Sequence, residues 1–271
     1  MANILDSFSL KGKNALIICP ENPYGWEIAE GLANAGAKVW VAGPAEEVSK
    51  EAKFVAGRFV YDHGDPSSAA QLEEAVRSKM GTLDILVENG LYTKTVGWKQ
   101  SFEEIYDQLQ KTHLGMMLTI QSLGHIFAEQ GHGSVILVAD YGALVGYDPV
   151  NYKACSETSH DLSKDVSLDS TRDFSRDFSL VKGFISGGAV NYARQASNYL
   201  AEHGCRCNSI AFGPLKGSHT EAFEEAFIRH SQVKRLITPA DIGAAAVFLA
   251  SDASAFITGV TLPVDGGYTA K

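Results

Sequence analysis

The sequence is short of positive charge and has no long apolar run. Its 271 residues include 23 Lys and Arg against 32 Asp and Glu, which gives a formal net charge of −9. A chain this acidic repels a polyanion, which argues against a nucleic-acid partner. No run of about 18 uncharged apolar residues is present to cross a membrane, and residues 1–13 lack the apolar core of a signal peptide. We therefore expect a cytoplasmic protein with no nucleic-acid or membrane partner.

Cysteine is also scarce. The four cysteines, Cys19, Cys155, Cys205 and Cys207, have spacings that fit neither a disulfide framework nor a zinc site. Cys205 and Cys207 are predicted to occupy alternate positions on one strand. The eight histidines are scattered, and His63, His113, His125 and His132 share no ligand spacing. We expect reduced thiols and no metal site.

Apolar runs of strand length alternate with longer amphipathic segments along most of the chain. The runs predict strands at 14–19, 38–42, 58–61, 83–87, 134–139, 205–211 and 261–264. The segments between them predict helices at 25–36, 68–79, 102–129, 187–203, 220–230 and 240–250. Continuous apolar strands alternating with helices are typical of a parallel sheet covered on both faces. We therefore predict one α/β domain over residues 1–271, a Rossmann-like, doubly wound parallel sheet.

One segment, at about 153–181, departs from this alternation. It is rich in Ser, Asp and Thr, and Asp161-Leu-Ser-Lys-Asp-Val-Ser-Leu168 recurs twelve residues later as Asp173-Phe-Ser-Arg-Asp-Phe-Ser-Leu180. The pattern favours an exposed loop that grew by duplication. A partner-binding or lid element is the alternative, because long loops in compact domains are often functional.

Several spaced motifs resemble those of the short-chain dehydrogenase/reductase family. They are Leu10-Lys-Gly-Lys13 before the first strand, Arg206-Cys-Asn208, Ile237-Thr-Pro-Ala-Asp-Ile242 and Val264-Asp-Gly-Gly267. The resemblance covers residues 8–270 apart from the Ser/Asp-rich segment. It implies the Rossmann-like fold, and family members are usually NAD(P)-dependent oxidoreductases. The family's functional positions can therefore be compared one by one with this sequence.

The family's glycine-rich turn survives at one of its three glycine positions. Anchored on Gly25, the motif places Cys19 and Pro23 at the other two. Those glycines let the backbone approach the pyrophosphate and present N–H groups at a helix N-terminus. Pro23 has no N–H, and Cys19 adds a Cβ where close approach is needed.

The remaining cofactor positions are also altered. The second strand ends at Gly43, with no acid for an adenosine ribose, although Asp62 matches the adenine-side acid. The Asn-Asn-Ala-Gly motif has become Glu88-Asn89-Gly90-Leu91, which sets a carboxylate and the bulky Leu91 beside the cofactor's expected path. We regard Gly25, Asp62 and Asn89 as vestiges and expect no dinucleotide in this chain.

The family's catalytic tetrad consists of Asn, Ser and the Tyr and Lys of Tyr-x-x-x-Lys. The resemblance maps these positions onto Thr112, Asp140, Lys182 and Ser186, so all four are changed. An alternative register pairs Phe178 with Lys182. It needs four extra residues inside the long helix, which would rotate the buried face by about 40°, and it still lacks the phenol.

Three residues remain as fallback candidates for catalysis. Tyr152 follows Asp140 by twelve residues, but its i+4 partner is Ser156 rather than Lys. Lys182 could donate a proton if burial lowered its pKa. Asp140 would be an anion facing a developing oxyanion, which raises the barrier. We favour a structural ion pair of Lys182 with Asp140 over an acid–base dyad.

The preferred functional hypothesis is a catalytically inactive subunit that stabilises or completes an active homologue. The family assembles through the two long helices, here 102–129 and 187–203, and the second carries small residues that permit close approach. The resemblance implies a hetero-oligomer, a tetramer, with NAD in the active partner of a hydroxyacyl-CoA or hydroxy-substrate dehydrogenase. The alternatives are an active oxidoreductase or lyase-like enzyme using Lys182, Asp140 or Tyr152, and a stand-alone ligand sensor or scaffold.

Overall fold

A computed structural model describes residues 3–45, 52–90, 100–148, 150–152 and 180–270. Within these ranges seven strands form one sheet of parallel pairs in the order β3-β2-β1-β4-β5-β6-β7. The predicted doubly wound α/β fold is confirmed. The strands are β1 (Asn14–Ile18), β2 (Lys38–Gly43), β3 (Val55–Val60), β4 (Ile85–Glu88), β5 (Gly133–Asp140), β6 (Cys205–Phe212) and β7 (Thr261–Val264).

The helices cover both faces of the sheet. They are α1 (Gly25–Asn34), α2 (Pro66–Met80), α3 (Phe102–Leu109), α4 (Gly115–Gln130), α5 (Leu180–Ala201), α6 (Glu221–His230) and α7 (Pro239–Ala250). Helices α1 and α7 pack on one face, and α2, α4 and α5 pack on the other. The central strands are mostly apolar because both of their faces are buried, with Glu88 and Asp140 as buried charged residues at the carboxyl ends of β4 and β5. In the described ranges no helix is long and apolar enough to span a membrane.

Helices α1 and α7 cross at two glycines. A Cβ on Gly31 would lie 2.5 Å from the Cα of Gly243, and one on Gly243 would lie 3.0 Å from the Cα of Gly31. The same Gly243 Cβ would lie 3.5 Å from the carbonyl oxygen of Glu27, one turn earlier on α1. Any side chain at the crossing would force the two helices apart, so the absence of a Cβ fixes the position of α1.

The prediction of a single α-helix over 102–129 is wrong at residues 110–114. A capping box at Ser101 and Glu104 starts α3, and a π turn at Gln110–Leu114 separates α3 from α4. In that turn the Thr112 hydroxyl donates to the carbonyl oxygen of Gln108 at 2.5 Å, a bond that competes with main-chain helical bonding. The spacing of apolar residues in the sequence does not distinguish a π turn, which contains one extra residue, from a normal α-helical turn.

Helix α5 begins earlier than predicted, at Leu180 rather than residue 187. Glycines at 183, 187 and 188 weaken the helical pattern in the sequence. Packing compensates at Gly188, where a Cβ would lie 2.5 Å from Nε2 of His113. The last two residues of the predicted Ser/Asp-rich segment therefore belong to α5. The rest of that segment, with Leu91 and Phe178, lies outside the described residues.

Candidate functional site

A cavity of about 400 Å³ lies at the carboxyl ends of the strands, beside the point between β1 and β4 where the strand order reverses. Open α/β sheets bind their ligands at such switch points. We call it the crevice cavity. It is lined by Glu21, Asn22, Pro23, Tyr24, Trp26, Glu27, Asn89, Val138, Ala139, Asp140, Lys182, Ser186, Leu215, Ser218 and His219. Three of the four tetrad positions thus meet at one cavity.

The turn between β1 and α1 keeps a left-handed backbone without the glycines that favour it. Cys19 has φ 51° and Tyr24 has φ 73°. At Gly25 a Cβ would lie 2.5 Å from the carbonyl oxygen of Pro20, so this position requires glycine. Left-handed non-glycine residues are strained and persist only where surrounding contacts hold them.

Asn89 supplies contacts that hold this turn. Its side-chain amide nitrogen lies within 3.2–3.3 Å of the carbonyl oxygens of Cys19, Asn22 and Pro23. In return the Asn22 side chain donates to the main-chain carbonyl of Asn89 at 2.8 Å. The end of β4 is thereby tied to the turn, and both are fixed at one edge of the crevice cavity.

Tyr24 reaches from the turn to the end of β6. Its ring lies 4.8 Å from the ring of Phe212, and its hydroxyl donates to the carbonyl oxygen of Gly213 at 3.1 Å. Burial, with the nearby Asp140 and Glu27 carboxylates, raises the pKa of Tyr24 well above its usual value. The phenol therefore stays protonated and stays a donor.

Asp140 ends β5 in a network of donors. Its carboxylate accepts from the Gly142 N–H at 2.9 Å, and the Tyr147 hydroxyl lies 2.9 and 2.7 Å from its two oxygens. The Lys182 ammonium lies 3.0 Å from Oδ2. The Asp140 side chain is 8% exposed and that of Lys182 is 41% exposed. Asp140 is therefore held by the protein, and Lys182 is the member of the pair that reaches solvent.

The ring of Tyr147 also contacts Lys182 in this network. The Lys182 ammonium lies 5.6 Å from the centre of its ring. Burial, and then the Asp140 carboxylate, raises the pKa of the Tyr147 phenol far above its usual value, so it acts as a donor and not as a base. Tyr147 is not among the site residues predicted from the sequence. Its position seven residues after Asp140 is the only local signal, and that spacing does not predict the contact.

Two further groups complete the polar lining. Ser186 is 3% exposed and lies one helical turn after Lys182 on α5. The His219 ring lies 4.4 Å from the ring of Phe223. Burial, and then the Lys182 charge, lowers the pKa of His219, so its imidazole is neutral near pH 7 and can both donate and accept.

The other predicted catalytic residues lie apart from the cavity. Thr112 is 1% exposed inside the π turn, where its hydroxyl is used by the Gln108 carbonyl. The Tyr152 ring lies 5.3 Å from the ring of Phe223, in the aromatic cluster that includes Tyr141 and Tyr147. Thr112 therefore lies away from the ion pair of Asp140 and Lys182, and Tyr152 contributes to aromatic packing.

Asp62 and Gly43, two predicted cofactor positions outside the cavity, form hydrogen bonds with nearby main-chain groups. Asp62 is exposed and accepts from the N–H of Gly64 at 2.8 Å. Gly43 ends β2, and its carbonyl oxygen accepts from the Tyr61 N–H at 2.9 Å.

A buried His63–Glu88 pair, which was not predicted from the sequence, lies at the end of β4. Nε2 of His63 lies 3.0 Å from Oε1 of Glu88, and Nδ1 donates to the Lys111 carbonyl oxygen at 2.5 Å. Oε1 also accepts from the Gly90 N–H at 2.9 Å. Burial lowers the pKa of His63, but Glu88 and the Lys111 carbonyl raise it by more, and the net pKa is raised. The carboxylate at the first position of the altered Asn-Asn-Ala-Gly motif was the available signal.

The His63 ring is accommodated by two glycines. A Cβ on Gly90 would lie 2.1 Å from Cε1 of His63, and one on Gly115 would lie 2.3 Å from its carbonyl oxygen. Oε2 of Glu88 is buried without a hydrogen-bond partner among the described residues. The His63 ring therefore occupies the space beside Gly90 at the end of β4.

An open parallel sheet with helices on both faces and a cavity at its switch point defines the class of Rossmann-like α/β proteins. Comparison with known families is consistent with this class. The short chain dehydrogenase family matches residues 13–169, and the family described as Enoyl-(Acyl carrier protein) reductase matches residues 166–269. The chain belongs to the short-chain dehydrogenase/reductase family of oxidoreductases.

Similar proteins carry names of active dehydrogenases. A 2-dehydro-3-deoxy-D-gluconate 5-dehydrogenase of Dickeya dadantii is 27% identical over 99% of this chain and 100% of its own. An NADP-dependent mannitol dehydrogenase of Hypocrea jecorina is 25% identical over 99% and 96%. A solved gluconate 5-dehydrogenase from Burkholderia cenocepacia, in complex with NADP and tartrate, has a TM-score of 0.77 at 21% identity over 99% and 100%. The last likeness concerns the fold alone.

Proposed function

We propose that this chain is a catalytically inactive oxidoreductase-family subunit that stabilises or completes an active homologue. The observation that carries the proposal is the Asp140–Lys182 ion pair, 3.0 Å between Nζ and Oδ2, at the positions that match the family's Ser and Tyr. The family's hydroxyls both offer protons to the oxygen of a carbonyl substrate. Asp140 offers none, because its carboxylate is an acceptor that already holds Tyr147, Gly142 and Lys182.

Hydride transfer also needs a nicotinamide dinucleotide, and the residues present do not fit that group. Pro23 removes a backbone N–H from the turn that would hold the diphosphate, and the carboxylates of Glu21 and Glu27 line the cavity beside it. Tyr24 crosses from the turn to Gly213, and His63 fills the space above Gly90. These contacts support a chain that holds no dinucleotide of its own, with NAD in the active partner.

An exposed apolar face supports assembly through the long helices. Its side chains are between 47% and 74% exposed: Phe102 and Tyr106 on α3, Met117 on α4, and Phe184 and Tyr199 on α5. The ring of Phe184 lies 5.4 Å from that of His113, which joins α5 to the π turn. Exposed apolar side chains grouped on assembly helices suit a protein interface. A tetramer with the active homologue would cover this face. The resemblance favours a hydroxyacyl-CoA or other hydroxy-substrate dehydrogenase as the complex.

Co-expression tests the proposal. The chain is produced with a homologue from the same organism that keeps Tyr-x-x-x-Lys, and native mass is measured. We expect one complex whose turnover resides in the homologue. Phe184→Asp should dissociate it, whereas Phe256→Asp, at the fully exposed Phe256 between α7 and β7 and outside the two long helices, should not. Lys182→Gln within the complex should leave turnover within about threefold, roughly 0.6 kcal/mol of barrier. A hundredfold loss with the complex intact would contradict the proposal.

A second candidate is an active oxidoreductase with a remodelled site. The activities named for the relatives favour it, and so does the 41% exposed Lys182 side chain, whose ammonium could protonate an alkoxide. Its test is turnover by the isolated chain with NADH or NADPH and a ketose or keto-acid. Turnover that Lys182→Gln abolishes, in a variant that still melts cooperatively, would favour this candidate over the inactive subunit.

A further inference from the structure

The π turn at Gln110–Leu114 gives one of its main-chain carbonyls to a side chain from another part of the fold. In an α-helical turn the Gly115 N–H would donate to the carbonyl oxygen of Lys111. Here that N–H donates to the carbonyl oxygen of Gln110, one residue further back, as a π turn requires. The Lys111 carbonyl oxygen lies 2.5 Å from Nδ1 of His63. The His63 ring therefore takes the acceptor that would close an α-helical turn.

The two contacts of the His63 ring need two protons. Nε2 lies 3.0 Å from Oε1 of Glu88, so each ring nitrogen faces an oxygen atom. The Lys111 carbonyl oxygen can only accept, so Nδ1 carries a proton. The second proton lies between Nε2 and Oε1, whether it is bound to the ring or to the carboxylate. After the loss of one proton, lone pairs face each other at one of the two contacts, and the ring no longer holds both oxygens.

The charged groups around His63 favour the second proton. Glu88, at the end of β4, is 1% exposed, and Asp62 precedes His63 in the chain. The Lys111 ammonium points away to Asp107 on α3, where the two exposed groups lie 2.8 Å apart. Burial lowers the pKa of His63, but the Glu88 carboxylate and the Lys111 carbonyl, with a smaller contribution from Asp62, raise it by more. The second proton is therefore lost only above the ordinary pKa of histidine, about 6.5.

The phenols near the pair stay uncharged. The Tyr61 ring, after β3, lies edge-on to the His63 ring with 5.6 Å between centroids. Tyr192 on α5 also lies near Glu88. Burial raises the pKa of each phenol, and the Glu88 carboxylate raises both further. From α4 the ring is contacted by Gly115, where there is no side chain to titrate. Near neutral pH the titration at this place is therefore that of the His63–Glu88 pair.

We infer that the His63–Glu88 pair is a proton-operated latch on the π turn. With two protons the pair holds the Lys111 carbonyl away from the helix, and loss of one proton releases that carbonyl to close an α-helical turn. The turn then shortens by one residue, which rotates α3 by about 100° relative to α4. Phe102 and Tyr106, 74% and 58% exposed on α3, move with it. This goes beyond the proposed function, because the latch belongs to the chain by itself.

Two measurements on the full chain between pH 6 and pH 9 test the inference. Histidine-selective ¹⁵N NMR follows the titration of the His63 ring. Hydrogen exchange, corrected for the intrinsic effect of pH, follows the main-chain protection of residues 110–116. We expect this protection to fall by about tenfold at the pH where His63 titrates, the change that one hydrogen bond can cause. Peptides from β5 should keep their protection, which distinguishes local release from global unfolding.

Two variants make the test specific to the latch. Glu88→Gln keeps the shape of the side chain and removes the charge that favours the second proton. Both the His63 titration and the loss of protection should move together to lower pH, by about one unit or more. His125→Gln, at an exposed position on α4, removes a histidine outside the pair and should leave both midpoints in place.

Equal protection of residues 110–116 at pH 6 and pH 9 would overturn the inference. A loss of protection whose midpoint differs from that of His63 would also overturn it, as would a midpoint that Glu88→Gln leaves unchanged or that His125→Gln moves equally. If Glu88→Gln does not fold, the coincidence of the two midpoints in the native chain decides. Because every measurement uses the chain by itself, none of these outcomes bears on whether it joins an active homologue.

Discussion

The Tyr147 hydroxyl lies 2.9 Å from one carboxylate oxygen of Asp140 and 2.7 Å from the other. Because both residues are buried, the phenol replaces water as a donor to this carboxylate. Lys182 shares the same carboxylate, so the position of its ammonium depends on a residue that does not touch the cavity. Tyr147 thus helps to fix the position of the exposed Lys182 ammonium through the Asp140 carboxylate.

Tyr147→Phe removes that donor without changing the shape of the ring. We expect the free energy of unfolding to fall by about 1–3 kcal/mol, the cost of leaving a buried acceptor short of a partner. Urea denaturation measures it. Tyr199→Phe, at a position 52% exposed on α5, is the matched control and should change stability by less than about 0.5 kcal/mol. Equal losses in the two variants would mean that the Tyr147 hydroxyl adds nothing to the fold.

The His63–Glu88 pair predicts a pH dependence of stability. The pKa of His63 is raised in the folded protein, so its contribution is complete below the unfolded pKa of about 6.5. The contribution is lost as pH rises through the folded pKa. We expect the stability difference between the native chain and His63→Gln to be larger at pH 6 than at pH 9, measured by urea denaturation. His125→Gln on the surface of α4 is the control. A difference that grows with pH would mean that folding favours neutral His63.

Two glycines of α4 should respond oppositely to alanine. At Gly115 a Cβ would lie 2.3 Å from the carbonyl oxygen of His63, and backbone there cannot yield. Gly115→Ala should destabilise by about 1–3 kcal/mol or more, as overpacking does. At Gly124 nothing lies within 4 Å of the added Cβ, and alanine should stabilise by about 0.5–1 kcal/mol. Thermal unfolding measures both, and a similar sign in both would contradict the packing of His63 against α4.

Dinucleotide titration addresses the crevice directly. We expect the isolated chain to bind NAD(H) and NADP(H) with dissociation constants above about 100 μM, weaker than roughly −5.5 kcal/mol, by calorimetry. The double variant Cys19→Gly, Pro23→Gly should not gain turnover, because Asp140 and Lys182 still occupy the Ser and Tyr positions. Tight binding by the native chain would refute the expectation and favour the remodelled oxidoreductase.

Local patterns predict the layered fold but not every boundary. Most of the seven strands in the described residues contain a short apolar run, because a parallel strand buried on both faces needs no polar side. The edge strand β3 is mostly unburied, and it begins at Val55, three residues before the predicted start at residue 58. The π turn at Gln110–Leu114 and the start of α5 escaped prediction. Both depend on packing between distant segments, of Gly115 on His63 and of Gly188 on His113.

The candidate site was predictable only where a motif register was available. Counting from the family's motifs brought Asp140, Lys182 and Ser186 to one cavity, because each is fixed at a strand end or on one helix face. The same register assigned Thr112 to the tetrad, but Thr112 lies in the π turn and does not line the cavity. The His63–Glu88 pair joins residues 25 positions apart with no repeating pattern, so no spacing rule predicts their contact.

The crossing of α1 and α7 at Gly31 and Gly243 affects how the ligand selectivity of the cavity changes by substitution. Because Glu27 lies one turn from Gly31 and its carbonyl faces Gly243, the crossing acts as a pivot for the helix that carries the acidic cavity wall. A methyl group at either glycine would tilt that wall and change the width of the mouth. Selectivity could therefore drift through substitutions that leave every lining residue intact, and a comparison restricted to the lining would miss the change.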